Sequence, residues 1–295
     1  MKKLIALTTT LALALSPLPA AAETISSDEN VRVPEISEIF TDLPHDLKDF
    51  GSDLVDRDHW PLTVGALGAT AMMVVTDYET WQAAKIFDAQ SPAVRQFSNM
   101  GVSIGDGFFQ FGLVAGFAAV GKATGDKRLL RTASQVAEAI LATGIGVQVI
   151  KHVSGRESPF SSETRTGVWR MFPNQIEYHK DFQKFDAVPS GHLSTAITTF
   201  IVIRENYPDQ RWISFVGWPV IGWVGYGLAA TSIHWWSDYP IAVALGYSFA
   251  RIITRENRTP NVRELPKSQE IGWRPVLLPG YSSEGVPVLV ANWAF

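Results

Sequence analysis

Long apolar runs separated by short polar breaks set the pattern of this chain. Leu62 to Val75 is almost wholly apolar, Phe108 to Val120 is apolar and rich in glycine and alanine, and Leu129 to Ile150 holds a lone acidic residue, Glu138. Leu193 to Arg204, Trp212 to Ile233 and Tyr239 to Ile253 continue the series, the second of these uncharged throughout and expected to kink at Pro219. Thr80 to Phe87 and Pro92 to Met100 read as shorter amphipathic helices. The pattern predicts an all-α protein: a helical bundle of about six core helices.

The two ends differ from this middle. Lys2-Lys3, the apolar stretch Leu4 to Leu15 and Ala20-Ala21-Ala22 have the order of a secretory signal, which predicts a mature chain starting at Glu23 in the periplasm. Residues 23–56 are acidic and suit one or two short helices. From Asn257 onward, prolines at 260, 266, 275, 279 and 287 preclude long helices. Trp273 to Leu278 and Val286 to Phe295, around a Gly-Tyr-Ser-Ser-Glu-Gly stretch, suggest a β-hairpin. The expected organisation is therefore signal 1–22, N-terminal extension 23–56, helical domain 57–256, and an irregular, partly β tail 257–295.

Composition narrows the function classes. Of 295 residues, 46% are hydrophobic and 18% charged, and the net charge of −4 argues against a nucleic-acid partner. With no cysteine, disulfides and thiolate chemistry are excluded, and stability rests on packing, to which ten tryptophans and sixteen phenylalanines contribute. No glycine-rich nucleotide loop follows a strand pattern.

The candidate chemistry centres on Pro189-Ser190-Gly191-His192, just before an apolar run. Ser190 is a good N-cap, Gly191 lets the backbone approach a ligand, and a helix N-terminus favours an anion beside His192. His234 and Asp238 are four apart, so on a helix they share a face and the carboxylate orients the imidazole. Upstream lie Lys151 and Arg156. Two histidines, a carboxylate, two cations and a helix N-terminus suit phosphoryl transfer through a histidine. The alternative of two histidines and Asp238 on a zinc-like ion is disfavoured by the neighbouring Lys151 and Arg156, and no metal or other cofactor is expected. His45, His59, His152 and His179 have no evident constellation and are read as structural.

These motifs, in this order, resemble the type 2 phosphatidic acid phosphatase (PAP2) superfamily of bacterial acid phosphatases, lipid phosphatases and vanadium haloperoxidases. The family pattern is a lysine, six residues, Arg-Pro; then Pro-Ser-Gly-His; then Ser-Arg, five residues, His, three residues, Asp. The resemblance covers roughly residues 145 to 250. It implies His192 as nucleophile, His234 as general acid and then base, Asp238 as the group fixing the His234 tautomer, and Lys151, Ser190 and Gly191 as phosphate ligands. The implied activity is metal-independent hydrolysis of a phosphate monoester or of a lipid or isoprenoid phosphate.

Two family arginines are replaced, by Ser158 and Leu228. Arg156, in the loop after Lys151, is the expected substitute as a phosphate ligand, with Arg165 and Arg170 behind it. The losses also keep open a non-catalytic anion-binding or structural relative, and more weakly a haloperoxidase. Membrane relatives hold such a site outside. Counting 61–77, 107–121 and 130–150 as three spans after a cleaved signal would put the site inside. The expectation is thus a soluble or surface-associated periplasmic protein, membrane association included among the options, with a small-molecule or lipid phosphate as partner.

Overall fold

The computed structural model describes residues 31–56, 60–256, 276–281 and 287–292. The signal segment, the predicted start at Glu23, His59 and most of the tail lie outside the described residues. Eleven α-helices are described: α1 Glu38–Thr41, α2 Leu43–Asp53, α3 Trp60–Val74, α4 Asp77–Asp88, α5 Pro92–Gly105, α6 Gly107–Thr124, α7 Lys127–Ser154, α8 Gln175–Lys180, α9 Gly191–Asn206, α10 Arg211–Ala230 and α11 Tyr239–Glu256. The fold is all-α, as the apolar periodicity predicts, and Pro219 lies inside α10. The short α8 has no counterpart in that periodicity.

The helix starts follow from capping. Ser91 Oγ accepts from the Val94 N–H with Pro92 at the first helical position. Asp106 and Asp126 open α6 and α7 in the same way, each satisfying an N–H that the helix leaves unpaired. Gly155 ends α7 at φ +52°, and a Cβ there would meet the Arg170 carbonyl oxygen at 2.1 Å. Only glycine suits that left-handed turn.

The core is built from α7, α9 and α11. Val136, Ala139, Val147, Ile197, Ile201, Leu245, Phe249 and Ile253 interlock there, all buried. Helix α9 is the central rod, in contact with α5, α6, α7, α10 and α11. Two of its polar residues find partners within the core: Thr198 Oγ1 lies 3.0 Å from Thr143 Oγ1, and Ser194 Oγ donates to the Ser190 carbonyl.

The outer helices are apolar on the outside. Among α3 residues only Thr70 is buried, and among α6 residues only Gln110 and Gly121. Phe108 is 93% exposed and Phe215 82%. Helices α7 and α10 are long and apolar enough to cross a membrane, and α5 with α6 forms a third candidate bent by 60°. Exposed apolar surface on this scale marks membrane association, the surface-associated side of the expectation. The three-span count behind that expectation fails. Helix α3, at fifteen residues, is about 22 Å long, short of a hydrocarbon core of about 30 Å, and α6 is one arm of the bent pair.

In the tail, strands β1 Val276–Tyr281 and β2 Pro287–Asn292 pair antiparallel, with Val276 opposite Asn292 and Tyr281 opposite Pro287. This is the expected hairpin, with slightly shifted ends.

Candidate active site

Several helix ends converge on one end of the bundle. Helices α7 and α10 finish there, α4, α9 and α11 begin there, and the corner between α5 and α6 packs alongside. Gly105 closes α5 directly on α9: a Cβ would lie 3.1 Å from His192 Cβ and 2.8 Å from a Val224 methyl. The connection 155–190 covers this end and is organised by the backbone of Arg156, which bridges to both Trp169 and Asp186.

His192 sits in the first turn of α9 and is half-buried. Ser190 caps the helix, its Oγ accepting from the Leu193 N–H at 3.4 Å, and it is fully buried. At Gly191 a Cβ would make only an ordinary 3.6 Å contact with Val147. Burial pushes the His192 imidazole down to about 4, aided by the nearby His234 and Lys151 and opposed by Asp106 and Asp186. Near neutral pH His192 is therefore uncharged and has a lone pair.

Lys151, in the last turn of α7, is buried and reaches Asp186 Oδ2 with its Nζ at 3.3 Å. Buried His234 donates from Nδ1 to the Ala187 carbonyl at 2.8 Å, which leaves Nε2 free for proton transfer. Asp238 Oδ2 is 3.4 Å from the same Nδ1 and accepts the Trp235 N–H at 2.8 Å.

Two expectations about this pair are corrected. His234 and Asp238 do not share a helix face. Helix α10 ends at Ala230, Ser232 turns at φ +65°, and Asp238 closes a 3-10 turn, Trp236–Asp238, before α11. The tautomer-fixing bond goes to the Ala187 carbonyl, while Asp238 is a charge beside the ring.

Arg156 is also placed differently from expectation. Its side chain is fully buried, with all its donors turned to groups of the protein. Nη1 donates to Ser237 Oγ at 2.7 Å and Asp238 Oδ1 at 2.5 Å, Nη2 to Asp77 Oδ2 at 2.6 Å and the Thr166 carbonyl at 2.6 Å, and Nε to the same carbonyl at 3.2 Å. A guanidinium has five N–H groups and all are spent. Asp77 in turn accepts from the Ser237 hydroxyl at 2.5 Å and from its N–H at 3.1 Å. Burial raises the Asp77 pKa, against the lowering by Ser237 and Arg156. Arg165 pairs with Glu79 at the surface, and Arg170 pairs with Glu157 at 2.6 Å. All three arginines are paired with carboxylates of the protein.

Three carboxylates were not picked out from the sequence. Asp77 holds Arg156, Asp186 holds Lys151, and Asp106 Oδ2 lies 3.8 Å from His192 Nε2. Asp106 had a signal: a lone acid between two glycines, breaking two apolar segments, is a helix cap. Among the described residues no group of three or more acidic, histidine or cysteine side chains is arranged to hold a metal ion.

The sequence model of the PAP2 superfamily matches residues 132–260, which contain Lys151, Ser190, Gly191, His192, His234 and Asp238. Residues 132–260 are a PAP2 superfamily domain. Comparison with curated proteins gives no match. Among solved structures, a transmembrane PAP2 type phosphatidylglycerolphosphate phosphatase from Bacillus subtilis is similar at 15% identity and a TM-score of 0.49, over 69% of this chain and 98% of that one.

Within the PAP2 domain the two replaced positions are not open to substrate. Ser158 is buried, its Oγ 3.4 Å from Ser161 Oγ. Leu228 is wholly buried in the core, and its carbonyl accepts from the Ile233 and His234 N–H groups. The position thus still fixes His234, but through its backbone.

Proposed function

We propose that the PAP2 domain is a phosphatase that hydrolyses a phosphate ester through a phosphohistidine, without a metal. The observation that supports it most is the meeting of neutral His192, Lys151 and His234 at the N-terminus of α9. His192 Nε2 attacks phosphorus, and the bond to the leaving alcohol breaks. His234, entering as the imidazolium, gives its Nε2 proton to the departing oxygen. It then takes a proton from water, which attacks the phosphohistidine and releases inorganic phosphate. Asp238 Oδ2 lies 3.4 Å from the Nδ1 of the His234 ring. Lys151, the Gly191 N–H and the Ser190 hydroxyl offer donors to the equatorial oxygens.

The apolar outer helices support a lipid or isoprenoid phosphate as the substrate, presented at a membrane. With a secretory signal expected at the N-terminus, the site faces the periplasm. A second reading, a non-catalytic anion-binding relative, is favoured by one observation: no arginine replaces those lost at Ser158 and Leu228. Purified protein should turn over p-nitrophenyl phosphate in the presence of a chelator and be blocked by orthovanadate. Vanadate binding without turnover is the result expected of the second reading.

A further inference from the structure

The charges around His192 include carboxylates as well as a cation. Lys151 is paired with Asp186, and Arg156 is enclosed by Asp77 and Asp238. The two positions where the family pattern adds cations hold serine and leucine. A further carboxylate, Asp106, faces the nucleophilic nitrogen. The charged groups acting on His192 are thus one lysine, Lys151, and two carboxylates, Asp186 and Asp106, besides His234.

Asp106 is fixed in place. Its Oδ1 accepts the Phe108 N–H at 2.8 Å, and Gln110 locks the corner by donating to the Ile104 carbonyl at 2.6 Å. Gly105 packs the same corner onto His192. Oδ2 is too far from His192 Nε2, at 3.8 Å, for a hydrogen bond. The side chain is 44% exposed, so this oxygen remains open to a ligand at the reacting centre. A phosphorus at attack distance, roughly 3 to 3.5 Å from Nε2, would sit beside that carboxylate.

We infer that the substrate brings its own cation: a phosphate ester whose alcohol bears an ammonium group near the ester oxygen, held by Asp106. The inference rests on the phosphatase reading and deepens it. Ammonium and carboxylate attract, so Asp106 sets specificity by favouring a charged alcohol over an uncharged one of the same size. A soluble amino-alcohol phosphate and a long-chain amino-alcohol phosphate in a membrane share this chemistry.

Binding tests it without requiring turnover. Calorimetric titration of the purified full chain compares O-phosphoethanolamine with n-propyl phosphate, which lacks the ammonium. A second pair compares a long-chain 2-amino-alcohol phosphate with its deaminated analogue in mixed micelles. Wild type should prefer the amine in at least one pair by tenfold or more, and the pair that shows it names the source. Asp106→Asn, which keeps the helix cap, should bring that ratio within twofold, and Asp106→Ser should do the same. Equal affinities in both pairs, no binding of any ligand, or a preference that survives both variants would overturn the inference. A retained amine preference with no hydrolysis of any ester would instead sink the phosphatase reading and leave the amine-binding role of Asp106 standing.

Discussion

Arg156→Ala should cost this fold about 3–5 kcal/mol, the range for removing one partner of a buried ion pair. Several features place it in that range. The guanidinium and both of its carboxylates are fully buried, so solvent cannot screen the charges left behind. Deletion strands Asp77 and Asp238 together, along with the Thr166 carbonyl and the Ser237 hydroxyl. Arg156→Lys keeps the charge but cannot reach four acceptors from one fork, and should recover part of the loss. Asp77→Asn removes one stranded charge. In the Arg156→Ala background it should therefore cost less than it does alone, with a coupling of about 1–3 kcal/mol. Denaturant unfolding in mild detergent gives all four corners of the cycle. Vanadate affinity, measured where each variant is folded, should change little, because the Arg156 donors are all taken by protein acceptors. Turnover should fall, because Asp238 loses the bond that holds it beside His234. Stability within about 1 kcal/mol of wild type, or additive effects in the cycle, would refute the reasoning. A collapse of vanadate affinity with stability intact would return Arg156 to the phosphate.

Other outcomes follow from the same geometry. The kcat/KM of p-nitrophenyl phosphate should fall as pH drops through about 4, where His192 takes a proton and loses its lone pair; an acid limb near 6.5 would show that burial does not shift it. Gly155→Ala should destabilise by more than about 1 kcal/mol, where an unstrained Gly→Ala change stabilises by about 0.4–1 kcal/mol, since its Cβ would strike the Arg170 carbonyl at a positive φ; the unfolding midpoint reports it. Leu228→Arg, although it restores a family residue, should lower the yield of folded protein sharply, because it forces an unpaired charge into the core. The protein should sediment with membranes after a high-salt wash and be released by detergent, as the exposed apolar helices require.

Much of the helical scaffold could be read from the chain because the core helices are long apolar runs, and Asp126 and Ser190 mark the starts of two of them. The motif residues were legible too, since Pro-Ser-Gly-His opens α9 and its spacing to Lys151 and His234 follows a family pattern. What escaped was whatever depends on distant partners. The direction of the Arg156 side chain is set by Asp77, 79 residues earlier in the chain. The proximity of His234 to Asp238 suggested a helix, but Ser232 turns the chain and a 3-10 turn brings the same two side chains together. Apolar runs alone also do not separate a buried helix from one facing lipid. Helix α9 and helix α6 are both apolar, yet ten residues of α9 are buried and only two of α6.

The central claim is a covalent phosphate on His192, and trapping it is the most direct measurement. Protein incubated briefly with a radiolabelled phosphate ester and quenched in base should retain label, lose it in acid, and show none in His192→Ala. His234→Ala should accumulate the labelled form with activated substrates, because the second step lacks its base. Label that persists in His192→Ala, or turnover by that variant at the wild-type rate, would contradict the account.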